Sequence, residues 1–305
     1  MAPAPLQPTQ KTVCVMDAGG RVGAALVERL LMRGYTVHAA TQGDPRGLLK
    51  ALPSGDGKRL EVFWADPFDY QSLLDAVKGC SGLFYAFEPP PDMPCYDEHM
   101  VEVEVRAAHN VLEACAQTET VEKVVFSSSA TAIVWKEDRG LGTAEFDERD
   151  WSEPGFCQKF KLWHALAKTL AEKTAWALAM DRGVNMVAIN SGLLTGPGLS
   201  IANPYLKGAA EMYEDGVLVA VDDWFLADAH VCAFEDSSAY GRYLCFNRTV
   251  CLPEDAIELA KMMAPTGPCP PTSDGLKIIL QRIHSKKLNK LMVGFDGGVV
   301  METVH

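Results

Sequence analysis

Thr12-Val13-Cys14-Val15-Met16-Asp17-Ala18-Gly19-Gly20-Arg21-Val22-Gly23 is the stretch whose reading decides the fold. A β-branched and apolar run enters a glycine-rich turn, and beyond it Val22, Leu26, Leu30 and Met32 or Arg33 keep a 3.6-residue period up to Gly34. In a dinucleotide fold such a strand-to-helix turn wraps a pyrophosphate: helix N-terminal N–H groups point at the oxygens, and glycines let the backbone approach them. An ordinary tight βα turn has the same look, so the reading depends on the rest of the chain.

Downstream of Gly34 the chain alternates regularly. Strands are predicted at Thr12 to Met16, Thr36 to Ala40, Leu60 to Ala65, Leu83 to Phe87, Val124 to Ser128 and Asn185 to Asn190, with amphipathic helices at Gly20 to Arg33, Tyr70 to Lys78, Met100 to Ala116 and Lys159 to Asp181. That order predicts an α/β, doubly wound parallel sheet. Residues 1–10 read as a disordered lead with no signal-peptide h-region, and residues 11–192 as the nucleotide-binding domain. Past Gly192 the pattern turns irregular, with Pro197, Pro204, Gly216 and a Pro cluster at Pro265 to Pro271. Residues 193–305 are expected to form mainly a smaller C-terminal lobe, with a return to the main sheet near 217–246, around Tyr243 to Phe246.

The composition narrows the function classes. With 305 residues, 48% of them hydrophobic and no apolar run of bilayer length, the chain reads as globular, with the cytoplasm as its expected compartment. Its nine cysteines lack the paired spacing of a zinc site or a disulfide framework. No metal is expected. A net charge of −12 without a basic stripe argues against nucleic acid and anionic membrane surfaces, leaving a small molecule or another protein as the ligand.

A second segment carries a more specific signal: Asp147-Glu148-Arg149-Asp150-Trp151-Ser152, then Phe156-Cys157, then Leu162-Trp163-His164-Ala165-Leu166-Ala167-Lys168. With Leu194-Thr195-Gly196-Pro197, Val221-Asp222-Asp223-Trp224, Ala229-His230 and Gly241-Arg242-Tyr243-Leu244-Cys245, it resembles the cinnamoyl-CoA reductase and dihydroflavonol 4-reductase branch of the extended short-chain dehydrogenases. Within that branch the chain is similar to the cinnamoyl-CoA reductase-like group of land plants, from Val13 to about Leu291. The resemblance implies a Rossmann domain with a C-terminal substrate lobe, NADP(H) as cofactor, and a hydroxycinnamoyl-CoA-like or related aromatic carbonyl substrate in phenylpropanoid, lignin or defence metabolism.

It also implies residue roles. Gly20 and Gly23 match the second and third glycines of the family's TGxxGxxG turn, Arg21 and Val22 stand between them, and Asp17 occupies the place of the first. A carboxylate about 6 Å from a phosphate costs roughly 3 kcal/mol at an effective dielectric near 20. Arg21 offers to offset it by pairing with Asp17 or with the pyrophosphate; the alternative is that Asp17 turns away into an Asx turn. His38 and Gln42 stand where related reductases carry Arg for the 2′-phosphate, with Arg46 further on, and no acid ends the strand to select NAD. Asp66 matches the residue that meets the adenine amine, or else belongs to a helix N-cap region. Arg106 replaces a family Asn.

Three residues make the chemical centre: Ser129, which orients the carbonyl, Lys168, which holds the nicotinamide ribose, and His164 where the family has its acid Tyr. His164 and Lys168 share one helix face. An imidazolium beside Lys168 is pushed below its ordinary pKa near 6.5, so His164 is expected to be neutral and a weak acid, and a lost general acid costs about 10² to 10⁴ in rate. Other readings of His164 are a packed, non-catalytic imidazole or a nucleophile pair with Cys157; Phe160 and Lys168 on the adjacent turns supply no metal ligand. Two functions are implied: a reductase of low or altered activity, using His164 directly or through water, or a catalytically impaired NADP(H)- or phenylpropanoid-binding regulatory protein with a protein partner.

Overall fold

The computed structural model describes residues 11–52, 58–87, 89, 96–137, 145–263 and 278–295. The N-terminal lead and the Pro265 to Pro271 cluster lie outside the described residues. In chain order the first half comprises β1 (Thr12–Met16), α1 (Arg21–Met32), β2 (Thr36–Thr41), α2 (Pro45–Ala51), β3 (Leu60–Trp64), α3 (Tyr70–Val77), β4 (Gly82–Tyr85), α4 (Glu98–Ala116) and β5 (Lys123–Ser129). The second half comprises α5 (Pro154–Lys159), α6 (Trp163–Arg182), β6 (Met186–Ser191), β7 (Leu193–Leu194), α7 (Ala209–Glu214), β8 (Val219–Val221), α8 (Asp223–Glu235), β9 (Gly241–Cys245), β10 (Arg248–Thr249), α9 (Pro253–Met263) and α10 (Lys286–Leu291).

Seven strands form one parallel sheet in the order β3-β2-β1-β4-β5-β6-β9. This is the doubly wound arrangement expected from the alternation, with the order reversing between β1 and β4. Val13, Cys14 and Val15 are fully buried because helices cover both faces, which is why the central strands read as continuous apolar runs. One face packs against α1 and α8 through Leu26, Leu30, Leu226 and Val231. The other packs against α3, α4 and α6, where Ala107, Ala108, Ala171 and Ala175 let the two long helices lie close together.

A second, three-stranded sheet, ordered β10-β8-β7, underlies the C-terminal part. The region expected to return to the main sheet therefore divides. Val219–Val221 joins the small sheet, whereas Gly241–Cys245 pairs with β6 at the edge of the large one. A third apolar cluster, including Ile133, Trp135, Phe146, Tyr205 and Met212, fills the space near this small sheet.

Two local features depart from the periodicity. The helix expected over Lys159 to Asp181 starts only at Trp163, and a separate helix ends at Lys159, because the chain turns through Lys161 at φ 54° and Leu162 N–H closes back on the Cys157 carbonyl at 2.8 Å. That break places His164 in the first turn of α6. The helix α8 gives little sequence signal because Leu226, Ala227, Ala229, His230, Val231, Cys232, Ala233 and Phe234 are all buried, leaving no single apolar stripe. Its start is set by Asp222, whose carboxylate accepts from Phe225 N–H at 2.8 Å.

Candidate active site

The turn after β1 closes through Gly20 N–H to the Asp17 carbonyl at 2.9 Å, while Ala18 N–H donates to the Ala40 carbonyl at 2.8 Å. Asp17 has φ 59°, in the left-handed region, which explains a family glycine there; Asp is one of the few L residues that enters it at modest cost. A Cβ on Gly23 would lie 2.2 Å from the Asp17 carbonyl oxygen, so only glycine lets α1 start this close to the turn. Gly20 caps α1 without a side-chain hydrogen bond. Asp17, Gly19 and Gly20 line an open cleft of about 450 Å³ with Thr41, Gln42, Gly43 and Asp44.

Arg21 is committed across the cleft to the C-terminal part. Its Nε and Nη2 donate to Asp223 Oδ2 at 3.2 and 2.9 Å, and Nη2 also reaches the Thr195 carbonyl. Val22 packs against the core under α1. Gln42 reaches the cleft, but the structure does not bring His38 there. Thr41 at the end of β2 lines the cleft, and His38, three residues before it, faces the opposite side of the sheet, under α3: Nδ1 is 2.8 Å from the Ala76 carbonyl and the ring is 4.6 Å from Phe63. Asp66 Oδ1 accepts from Phe68 N–H at 2.9 Å in an Asx turn, and Asp69 rather than Asp66 caps α3. Arg106 is exposed, its guanidinium 5.3 Å from the Phe68 ring.

At the carboxyl end of β5 the predicted centre is assembled. Ser129 is buried, and its Oγ accepts from the Thr131 N–H at 3.2 Å and from the Thr131 hydroxyl at 3.0 Å. Thr131 Oγ1 is 3.2 Å from His164 Nδ1. With Thr131 donating to Ser129, Nδ1–H donates to Thr131 and Nε2 carries a lone pair. Burial holds His164 well below the ordinary imidazole range, and the Lys168 ammonium adds to the effect. It is therefore neutral at pH 7, as the sequence suggested, although desolvation outweighs Lys168.

Lys168 has partners that the sequence did not announce. Its Nζ is 2.7 Å from Glu104 Oε1 and 3.5 Å from the Phe87 carbonyl. Glu104 is buried, and its Oε2 accepts from the Tyr96 hydroxyl at 2.8 Å. One signal was available: Met100, Glu104, Ala108 and Val111 share the apolar stripe of α4, and a carboxylate there needs a partner. One turn beyond Lys168, fully buried Glu172 accepts from Ser128 Oγ at 2.7 Å, Asn190 Nδ2 at 2.7 Å and Arg242 Nε at 2.7 Å. It ties α6 to β5, β6 and β9, and so fixes the helix that carries His164 and Lys168.

The imidazole opens on a second cleft of about 500 Å³, lined by Tyr96, Lys161, Trp163, His164, Asn203 and Lys207 among others. Tyr96 meets the His164 ring edge-on at 4.9 Å, and Tyr205 lies 6.1 Å from it. Among the described residues no group of His, Cys, Asp or Glu is arranged to hold a metal ion, and no helix is long and apolar enough to cross a membrane. Burial pushes the Cys80 and Cys115 thiols up to about 12, which makes both poor nucleophiles.

Residues 13–215 match the model of the NAD dependent epimerase/dehydratase family. The chain belongs to this family. Within the NAD dependent epimerase/dehydratase family it is similar to cinnamoyl-CoA reductase 1 of Petunia hybrida, 38% identical over 271 residues, covering 85% of this chain and 79% of that protein. Dihydroflavonol 4-reductase of Zea mays is 33% identical over 301 residues, covering 92% of this chain and 82% of that one. Among solved structures, vestitone reductase from alfalfa superposes with a TM-score of 0.70 at 27% identity, over 93% of this chain and 92% of that one. An NADPH complex of Gre2 from Candida albicans has a TM-score of 0.69 at 23% identity, covers 94% of each chain, and shares the fold. The resemblance read from the α6 segment and its neighbours thus extends over most of the chain.

Proposed function

We propose that the protein is an NADP(H)-dependent oxidoreductase of a small aromatic carbonyl or hydroxycinnamoyl-CoA-like thioester, with activity altered by His164. The observation that supports this most is the convergence of Ser129, Thr131, His164 and Lys168 at the carboxyl ends of the parallel strands. Ligands of open α/β sheets bind at that end. The cradle fits a dinucleotide: Gly23 leaves no room for a side chain against the turn, and the α1 N-terminus is uncapped. Gly19, Gly20, Thr41 and Gln42 would hold the adenosine and pyrophosphate, with Arg46 beside the 2′-phosphate and Lys168 at the nicotinamide ribose. When bound, the cofactor supplies a hydride. Ser129 then orients the carbonyl oxygen, Lys168 holds the ribose, and Glu172 keeps α6 in register with β5.

A second reading, a reductase-derived protein that binds NADP(H) or a phenylpropanoid and signals to a partner, is favoured by two observations. His38 is turned away from the cleft, and Lys168 is already paired with Glu104. One pair of measurements separates the readings: NADPH titration by intrinsic fluorescence, and NADPH oxidation on addition of cinnamoyl-CoA. The oxidoreductase reading expects binding and turnover, with His164→Tyr raising turnover at least roughly tenfold by restoring a phenol on α6. NADPH binding without oxidation by wild type or His164→Tyr supports the regulatory reading. Failure to bind NADPH sinks the oxidoreductase reading and the NADP(H)-binding form of the second.

A further inference from the structure

We propose that Tyr96 is the proton donor of the cleft, a phenol supplied from the segment before α4 instead of from α6. This rests on the oxidoreductase reading and adds a catalytic residue to it. Three observations carry it. Tyr96 lines the same cleft as His164, with its ring edge-on to the imidazole at 4.9 Å. Its hydroxyl donates to Glu104 Oε2 at 2.8 Å, and the other oxygen of that carboxylate is 2.7 Å from Lys168 Nζ. A phenol therefore stands one carboxylate away from the lysine of the site. Finally, His164 is held neutral by burial, and with Thr131 donating to Ser129 its Nδ1–H is committed to Thr131, which leaves no ring proton for a substrate oxygen.

The step balances without a further reagent. A bound dihydronicotinamide would supply a hydride to the carbonyl carbon; the C=O π pair would move onto oxygen, and that oxygen would take the proton of Tyr96 Oη, giving the alcohol from an aldehyde or ketone and the hemithioacetal from a thioester. The O–H turns from Glu104 toward the substrate by rotation about Cζ–Oη. An alkoxide is a far stronger base than a phenolate, so the transfer runs downhill. Water in the open cleft returns a proton to the phenolate, while the Lys168 ammonium across Glu104 offsets its charge. The titratable groups facing or near this phenol are Glu104 on α4, His164 and Lys168 on α6, Tyr205 behind the imidazole, and Lys161 and Lys207 on the cleft wall.

The test uses the full chain with NADPH and cinnamoyl-CoA in single-turnover mode. Tyr96→Phe is expected to slow hydride transfer on the order of 10²-fold, and adding His164→Tyr to it should restore most of the loss. NADPH affinity, read by fluorescence quenching, should stay within about twofold. In the cofactor-free protein carrying ¹³Cζ-labelled tyrosine, Glu104→Gln should lower the Tyr96 titration by about one pH unit or more, since a neighbouring anion is removed. Wild type that binds NADPH but transfers no hydride overturns the oxidoreductase reading and the donor role with it. Transfer by wild type and Tyr96→Phe at equal rates overturns Tyr96 alone, as does a loss of NADPH affinity that accounts for the slower rate. An unmoved Tyr96 titration in Glu104→Gln refutes the proposed coupling.

Discussion

Acidification from pH 7 to 5 should cost about 2 kcal/mol of stability through His230 alone. This side chain is fully buried in α8; Nδ1–H donates to the Leu226 carbonyl at 2.7 Å, and Nε2 accepts from Ser127 Oγ at 2.7 Å. Burial pushes its pKa down from 6.5 to about 4, with the Leu226 hydrogen bond acting weakly the other way. The folded state thus refuses a proton that the unfolded chain accepts. Stability contributed by this group is full above pH about 6.5, falls as the unfolded chain protonates, and levels off below pH about 4. At pH 5 the unfolded imidazole is about 97% protonated and the folded one about 10%, which gives the figure of about 2 kcal/mol. The assay is urea unfolding at pH 7 and 5 for wild type and His230→Gln. Carboxylates and His164 contribute to both proteins and cancel in the difference, so wild type should lose about 2 kcal/mol more than the variant. Parallel losses would refute the assignment of a buried, neutral His230.

The first of two further predictions concerns Asp17→Gly, which removes a carboxylate from the cleft and places glycine at φ 59°. NADPH affinity should rise on the order of a hundredfold if about 3 kcal/mol of repulsion is relieved, and isothermal calorimetry reading no change would dismiss the electrostatic cost. The second is Arg242→Met, which leaves Glu172 buried without its cation: unfolding free energy in urea should fall by about 3–5 kcal/mol, and a loss below about 1 kcal/mol would show that Ser128, Asn190 and Trp176 suffice.

Much of the centre was legible because its residues occupy fixed places on regular elements. Ser129 ends a strand whose apolar run is unmistakable, and Lys168 lies one helical turn after His164. Gly20 caps α1 and Gln42 follows the end of β2, so backbone geometry alone delivers both to the cleft, while Gly23 lets α1 start against the turn. His38 misled for the complementary reason: its place in the motif suggested a phosphate clamp, whereas the alternation of the strand sends it under α3. Arg21 also reaches the carboxylate of Asp223, 202 residues later, a contact that the sequence did not announce.

Local periodicity and turn chemistry determined, from the sequence by itself, the parallel sheet, the glycine cradle and the pairing of His164 with Lys168 on α6. These depend on neighbours within a few residues, so no distant contact is needed to infer them. Only the tertiary structure decided that Lys168 meets Glu104, that Tyr96 stands against His164, and that Glu172 anchors α6 to Arg242. Each of these is a buried polar group satisfied across elements far apart in the chain, and desolvation makes such pairing obligatory without revealing in the sequence which partner provides it.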